Sequence, residues 1–150
     1  MLGEDYPRLL GSLIQTLPQR IELPPGQEGF FQESGPCPSY DNEPRCGVRN
    51  RVRTRGLLTL ESWYPALDRH PELMTIYTAD FSKTGFGFVA PEQFFPGEVV
   101  RVFLATFWMR LTVRRCRRLG PNCYNCGGTL VDRHDPNEEA LRCLAAECHA

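Results

Sequence analysis

Six short runs of alternating apolar and polar residues constrain the fold of this chain most. They are GLLTLESWY (56–64), LMTIYTA (73–79), GFGFVA (85–90), EVVRVFL (98–104), WMRLTVRRC (108–116) and CYNCGGTLV (123–131). Runs of this length, separated by turn residues, are typical of β-strands. Six of them in succession predict a mainly β fold, in the form of a small six-stranded antiparallel barrel.

The fifth run shows the alternation most clearly. Its apolar residues Met109, Leu111 and Val113 are predicted to face the core, and the residues between them to face outward. The adjacent Arg114 and Arg115 then break the alternation, as a β-bulge would. The arginines of this run are therefore expected to lie on the outer surface.

One helix is predicted before the six strands in the sequence and another after them. Residues 7–17 form a short amphipathic pattern with Pro7 in the first turn, and its apolar residues share one face: Leu9, Leu10, Leu13, Ile14 and Leu17. Near the C-terminus, Asp135 can cap a helix that starts at Pro136, and Glu138 completes a capping box. We expect this second helix to pack on the barrel.

The domain organisation follows from these elements. A chain of 150 residues suits one domain. Residues 1–44 are interpreted as the N-terminal helix and a linker rich in proline and glycine, because 23–47 is dense in both. Residues 45–150 are interpreted as the barrel with an arginine loop before it and the C-terminal helix after it.

The charge is nearly balanced overall but unevenly distributed. The formal net charge is 17 − 18 = −1, which argues against a general binder of nucleic acids. Sixteen of the seventeen basic residues are arginine, and five fall within 45–55 and five more within 110–118. The start of the chain lacks a signal-peptide pattern, and no apolar stretch approaches the length of a membrane span. We therefore expect a soluble cytoplasmic protein.

Seven cysteines raise the question of a metal site. The motif CYNCGG contains Cys123 and Cys126 in the spacing of a zinc knuckle, and Cys143, Cys148 and His149 could supply further ligands. On a strand, however, residues three apart point to opposite faces and cannot share one ion. The favoured interpretation is unreactive thiols and no cofactor, with zinc as the alternative.

The stretch TADFSKTGFGFVA (78–90) carries Asp80, Ser82 and Gly85 at fixed offsets between two strands. One interpretation is a structural turn, in which Asp and Ser bond nearby amides and Gly supplies a positive φ. The other is a guanine site, because a carboxylate accepts hydrogen bonds from the ring N–H and the exocyclic amine of guanine.

Upstream, RCGVRNRVRTRG (45–56) places arginines at every second position from 49 to 55. Such a run can be a solvated surface. Arginine can also fork onto a phosphate and stack on a purine, and residues four apart on an extended chain lie on one side, roughly 13 Å apart. This spacing suits a ligand with two anionic groups and two bases.

Together, RVRTR (51–55) and DFSKTG (80–85) resemble the paired motifs of the PilZ domain, a receptor module for the bacterial second messenger cyclic di-GMP. The resemblance extends over roughly 49–132. It implies a six-stranded barrel in which the arginine element, just before the first strand, wraps cyclic di-GMP against the barrel surface.

The resemblance also implies roles for individual residues. Two arginines would grip phosphate and guanine, and three residues would shape the guanine and ribose side: Arg51 and Arg55, then Asp80, Ser82 and Gly85. Arg49 and Arg53 have the same spacing as Arg51 and Arg55, so a second register exists. Phe86 departs from the family, where small residues are frequent at this position, and its ring would either tighten the pocket or block it.

The expected function is that of a cyclic di-GMP receptor that passes its signal to an output protein by ordering its arginine loop and N-terminal segment. A PilZ-like protein-interaction adapter that has lost ligand binding is one alternative. A zinc-containing nucleic-acid-binding protein is another. Catalysis is not expected, because no nucleophile with an adjacent base accompanies the three histidines, His70, His134 and His149.

Overall fold

The computed structural model describes residues 2–23, 35–36, 50–51, 54–63 and 73–149, with side chains for 6–23, 54–63 and 73–144. In chain order the elements are α1 (Leu2–Thr16), β1 (Gly35–Pro36), β2 (Asn50–Arg51), β3 (Arg55–Ser62), β4 (Met74–Phe81), β5 (Gly85–Ala90), β6 (Val99–Phe103), β7 (Trp108–Gly120), β8 (Cys123–His134) and α2 (Glu138–His149).

The predicted six-stranded antiparallel barrel is confirmed, and β3 to β8 form it. Neighbouring strands follow the order β4, β3, β6, β7, β8, β5, and β5 pairs back with β4 to close the barrel. The short strands β1 and β2 extend the sheet beyond β4, because β2 pairs with the end of β4 and β1 pairs with β2. A closed barrel leaves few free strand edges, which limits pairing with other chains.

The barrel core combines aliphatic side chains with several phenylalanines in one cluster. The prediction for β7 is confirmed, because Met109, Leu111 and Val113 are all buried in this core. Phe88 packs against both Phe86 and Phe94, with ring centroids 5.9 and 6.0 Å apart. Alternation of residue type along each strand thus generates a single apolar interior.

Within the described residues, the register between barrel strands shifts at five places, and two of these shifts lie directly before Asp80 and Arg115. The register between β7 and β8 shifts between Val113 and Arg115, which confirms the predicted bulge at the double arginine. A second shift lies in β4, between Thr78 and Asp80 where this strand pairs with β5, and the sequence did not predict it. A bulge changes the face to which the residues after it point.

Helix α1 begins at Leu2, five residues before the predicted start, so the placement of Pro7 in the first turn is wrong. Proline inside a helix forfeits one backbone hydrogen bond. The preceding turn is nevertheless retained, because Tyr6 is fully buried and its hydroxyl donates to the carbonyl oxygen of Leu104 at 2.6 Å. Tertiary packing therefore extends the helix beyond the limit that local propensity sets.

Helix α2 begins at Glu138, and its cap is Asn137 rather than the predicted Asp135. The Asn137 Oδ1 accepts a hydrogen bond from the backbone N–H of Ala140 at 3.0 Å, the usual geometry of an N-cap. The two helices pack together over the outer side of β3 and β6, where Leu10 and Leu141 join Leu57 and Phe103 in one cluster.

No helix in the described part of the chain has both the length and the apolar character needed to cross a membrane.

Candidate functional site

The turn between β4 and β5 contains two of the predicted site residues, Ser82 and Gly85. The Ser82 N–H donates to the Gly85 carbonyl oxygen, and the Gly85 N–H donates to the Ser82 hydroxyl, both at 3.0 Å. The Ser82 side chain therefore fixes the turn.

The interpretation that Gly85 supplies a positive φ is wrong. Among the described glycines only Gly97 has one. Glycine is instead required at position 85 because of close approach, since a Cβ there would lie 3.1 Å from the carbonyl oxygen of Gly128 and 3.3 Å from the Ser82 hydroxyl. Any larger residue at position 85 would therefore have to displace the Gly128 carbonyl or the Ser82 hydroxyl.

Asp80 lies on the outer surface of the barrel, opposite Gly87 of β5. The neighbours of Gly87, Phe86 and Phe88, are buried in the core, so a side chain at 87 would point outward. A Cβ built there would collide with the Asp80 Oδ1. The carboxylate thus covers backbone that carries no side chain.

Gly87 belongs to the candidate site, and the motif interpretation missed it. Its signal was present in the sequence as the Gly-Phe-Gly triplet at 85–87, because a glycine inside a strand often marks a close approach.

The described parts of the arginine segment, in β2 and at the start of β3, pair antiparallel with β4. Arg51 of β2 lies opposite Asp80, and Arg55 at the start of β3 lies opposite Tyr77. Between them the Thr54 N–H donates to the Thr78 hydroxyl at 2.9 Å. The structure thus brings the backbone of Arg51 beside Asp80 and leaves the Arg55 side chain exposed. Arg49 and Arg53 lie outside the described residues.

Phe86 does not lie on the outer surface. It is 3% exposed, and its ring packs edge-on against Phe81 with centroids 4.7 Å apart inside the barrel. The larger residue at this position therefore fills the core and does not itself occupy the outer surface beside Asp80.

Cys123 and Cys126 lie on opposite sides of β8, as their spacing predicts. Cys126 is buried in the barrel core, with its sulfur 3.0 Å from that of Cys116, whereas Cys123 packs with Ile21 on the outside. The hydrogen bond to Cys116 and burial raise the pKa of Cys126, and burial raises the pKa of Cys123. A raised thiol pKa reduces the fraction of thiolate, which is the form of cysteine that binds a metal ion.

No group of three or more metal-ligating side chains occurs among the residues whose side chains are described. Cys143 is exposed on α2. The side chains of Cys148 and His149 lie outside the described part of the chain.

Most arginines of the second cluster have partners on the barrel surface. Arg110 forms an ion pair with Asp132, and hydrogen bonding from Arg110 lowers the pKa of that carboxyl group. Arg114 donates to the Thr129 hydroxyl at 3.2 Å and Arg118 to a backbone carbonyl at 3.4 Å. These contacts attach the side chains to β7 and β8.

Comparison with known proteins gives one result. The family model described as the PilZ domain matches residues 42–147, which is most of the chain and includes both motifs. No curated protein and no solved structure matches the chain significantly.

Proposed function

Because the chain belongs to the PilZ domain family, we propose that it is a receptor that binds cyclic di-GMP on the outer surface of the barrel. The proposed ligand-binding residues are Arg51, Arg55, Asp80, Ser82 and Gly85. The observation that supports this most is the pairing of β2 with the end of β4, in which Arg51 lies opposite Asp80. The backbone of the arginine-rich segment thus lies beside the carboxylate of Asp80, which in turn lies beside Gly87, a strand position without a side chain.

The chemistry of this pair suits guanine nucleotides. An ionised carboxylate is an acceptor only, and the Watson–Crick edge of guanine offers it two adjacent donors, the ring N–H and the exocyclic amine. Arginine donates in a planar fork that fits a phosphate or the O6 and N7 acceptors of guanine. A ligand with two guanines and two phosphates uses both kinds of contact at once.

Ser82 and Gly85 support the site mainly by holding the turn after β4. The Ser82 oxygen already accepts from the Gly85 N–H, and its own hydrogen has only a 3.5 Å contact, with the Gly85 carbonyl oxygen. That distance is at the limit of a hydrogen bond, so the hydroxyl can still donate to the ligand.

The N-terminal segment lies close enough to carry the signal. After α1, Ile21 packs on the outer side of Tyr77 and Val89, the strand pair next to Asp80 and Gly87. Arg20 forms an ion pair with Glu92 at 2.7 Å, which holds the same segment to the barrel. We propose that closure of the arginine segment over the ligand changes this contact and presents the N-terminal segment to an output protein in the bacterial cytoplasm.

Calorimetric titration of the full chain with cyclic di-GMP tests the proposal. Asp80→Ala should weaken binding by about 1–3 kcal/mol, the cost of a lost base-reading contact, and should reduce the preference for cyclic di-GMP over cyclic di-AMP. Asp135→Ala is the matched control, because it removes an equal charge from an exposed position outside the candidate site. The double substitution of Arg51 and Arg55 by alanine should abolish binding of cyclic di-GMP. The melting temperature of this variant should stay within a few degrees of that of the wild type.

Two results would contradict the proposal. Wild-type protein that shows no binding would point to an adapter without a ligand. Equal losses in Asp80→Ala and Asp135→Ala would mean that only net charge attracts the ligand.

A further inference from the structure

One row of paired residues crosses the outer surface of four strands. Asp80 of β4 pairs with Gly87 of β5, Gly87 with Gly127 of β8, and Gly127 with Arg115 of β7. The row therefore has a carboxylate at one end, a guanidinium at the other, and two glycines between them.

The Arg115 side chain lies over Gly127. A Cβ at position 127 would lie 2.6 Å from the Arg115 Nε, 3.1 Å from its Nη2 and 3.3 Å from its Cζ. Cys126, the preceding residue, is buried in the core, so this position faces outward. The Asp80 carboxylate therefore covers Gly87 and the Arg115 guanidinium covers Gly127, its neighbour in the sheet.

The spacing of the two backbone positions that these side chains cover follows from the sheet. Asp80 covers Gly87 and Arg115 covers Gly127, and neighbouring strands are about 5 Å apart. The two side chains form no ion pair with each other within 4.0 Å. On the barrel surface Asp80 is half-buried and Arg115 is exposed.

Arg115 differs from three other arginines of the same cluster. Arg110, Arg114 and Arg118 have partners on the barrel surface. Arg115 is exposed and has no hydrogen bond or ion pair with any residue whose side chain the structure describes. Its orientation over Gly127 therefore leaves the five donors of the guanidinium available.

We propose that Arg115 is a further ligand-binding residue that reads the O6 and N7 acceptors of the guanine whose N–H donors face Asp80. The inference rests on the proposed function. O6 lies between the ring N–H and N7, so the donor edge and the acceptor edge of guanine adjoin, and a carboxylate and a fork on neighbouring strands can contact one edge each. Adenine has an amine donor in place of O6, which opposes the guanidinium, so Arg115 adds selectivity against cyclic di-AMP.

Three variants of the full chain test this by calorimetric titration with cyclic di-GMP and cyclic di-AMP. Arg115→Ala should weaken cyclic di-GMP about 5- to 150-fold and reduce its advantage over cyclic di-AMP. Arg117→Ala is the control, since it removes the same charge from an exposed position of the same strand and should change affinity by less than about threefold at 0.15 M salt. Gly127→Ala displaces the guanidinium without altering charge and should weaken binding as Arg115→Ala does.

The outcomes separate the two proposals. Wild-type protein that binds cyclic di-GMP, together with Arg115→Ala that binds equally well, would overturn the role of Arg115 and leave the receptor proposal intact. Equal losses in Arg115→Ala and Arg117→Ala would also overturn it, because charge alone would then explain both. Wild-type protein without any binding would overturn both proposals. Thermal melting of each variant checks that the fold is retained.

Discussion

Replacing Gly87 by alanine tests the site by adding one methyl group. The new Cβ would lie 3.3 Å from the Asp80 Cγ and closer still to Oδ1. Optimal contacts between carbon atoms are about 3.5–4.0 Å, so the carboxylate has to move by about 1 Å. The clash involves the end of a flexible side chain, so the barrel itself need not change.

A movement of that size is enough to break a base contact. A hydrogen bond of about 2.9 Å that lengthens to about 3.6 Å or more is no longer a hydrogen bond. Loss of such a bond to a charged acceptor costs about 1–3 kcal/mol, so the Kd for cyclic di-GMP should rise about 5- to 150-fold. The melting temperature should stay constant or rise slightly, because alanine is favoured over glycine inside a strand by about 0.5–1 kcal/mol.

Calorimetric titration and thermal melting of Gly87→Ala provide the measurement. Gly11→Ala is the matched control, since it makes the same chemical change at a position where the added Cβ meets no atom within 4 Å. Wild-type affinity in Gly87→Ala would show that the carboxylate position does not matter to the ligand. The explanation for glycine at 87 would then be wrong.

Four further predictions concern coupling, stability and metal. Amide hydrogens of residues 19–23 should change their exchange rate when cyclic di-GMP binds, as measured by mass spectrometry, because this segment packs beside Asp80; identical rates would remove support for the transmission route. Asn137→Ala should lower the free energy of unfolding by about 1 kcal/mol through loss of the α2 cap, measured by urea titration. Burial raises the pKa of Tyr6 from 10.0 to about 12, so its contribution to stability is complete below pH 10 and is lost as the pH rises through 12; the unfolding free energy of Tyr6→Phe should lack this dependence. Purified protein should contain less than one zinc per chain and keep its melting temperature in chelator, because Cys123 and Cys126 lie on opposite sides of β8; a stoichiometric zinc would contradict this.

The barrel was predictable because its signal is local. Each strand buries alternate residues, and this pattern is visible within a few positions of the chain. The helix ends were less predictable. Asp135 and Asn137 are both good capping residues, and the local sequence does not decide between them. The extension of α1 back to Leu2 depends on Tyr6 reaching Leu104, a contact between residues far apart in the sequence.

The sequence alone could not predict that Asp80 and Arg115 share a surface, and the two bulges explain why. Strict alternation from Ile76, which is buried in the core, would turn Asp80 inward, and strict alternation from Val113 would turn Arg115 inward. Each strand gains one residue immediately before its charged residue, and each bulge returns the side chain to the outside. A carboxylate and an arginine in the core would be costly to bury, so the bulges are consistent with the burial rule even though they break the alternation. Charged residues that violate the alternation of a strand therefore indicate both a bulge and the surface that the bulge exposes.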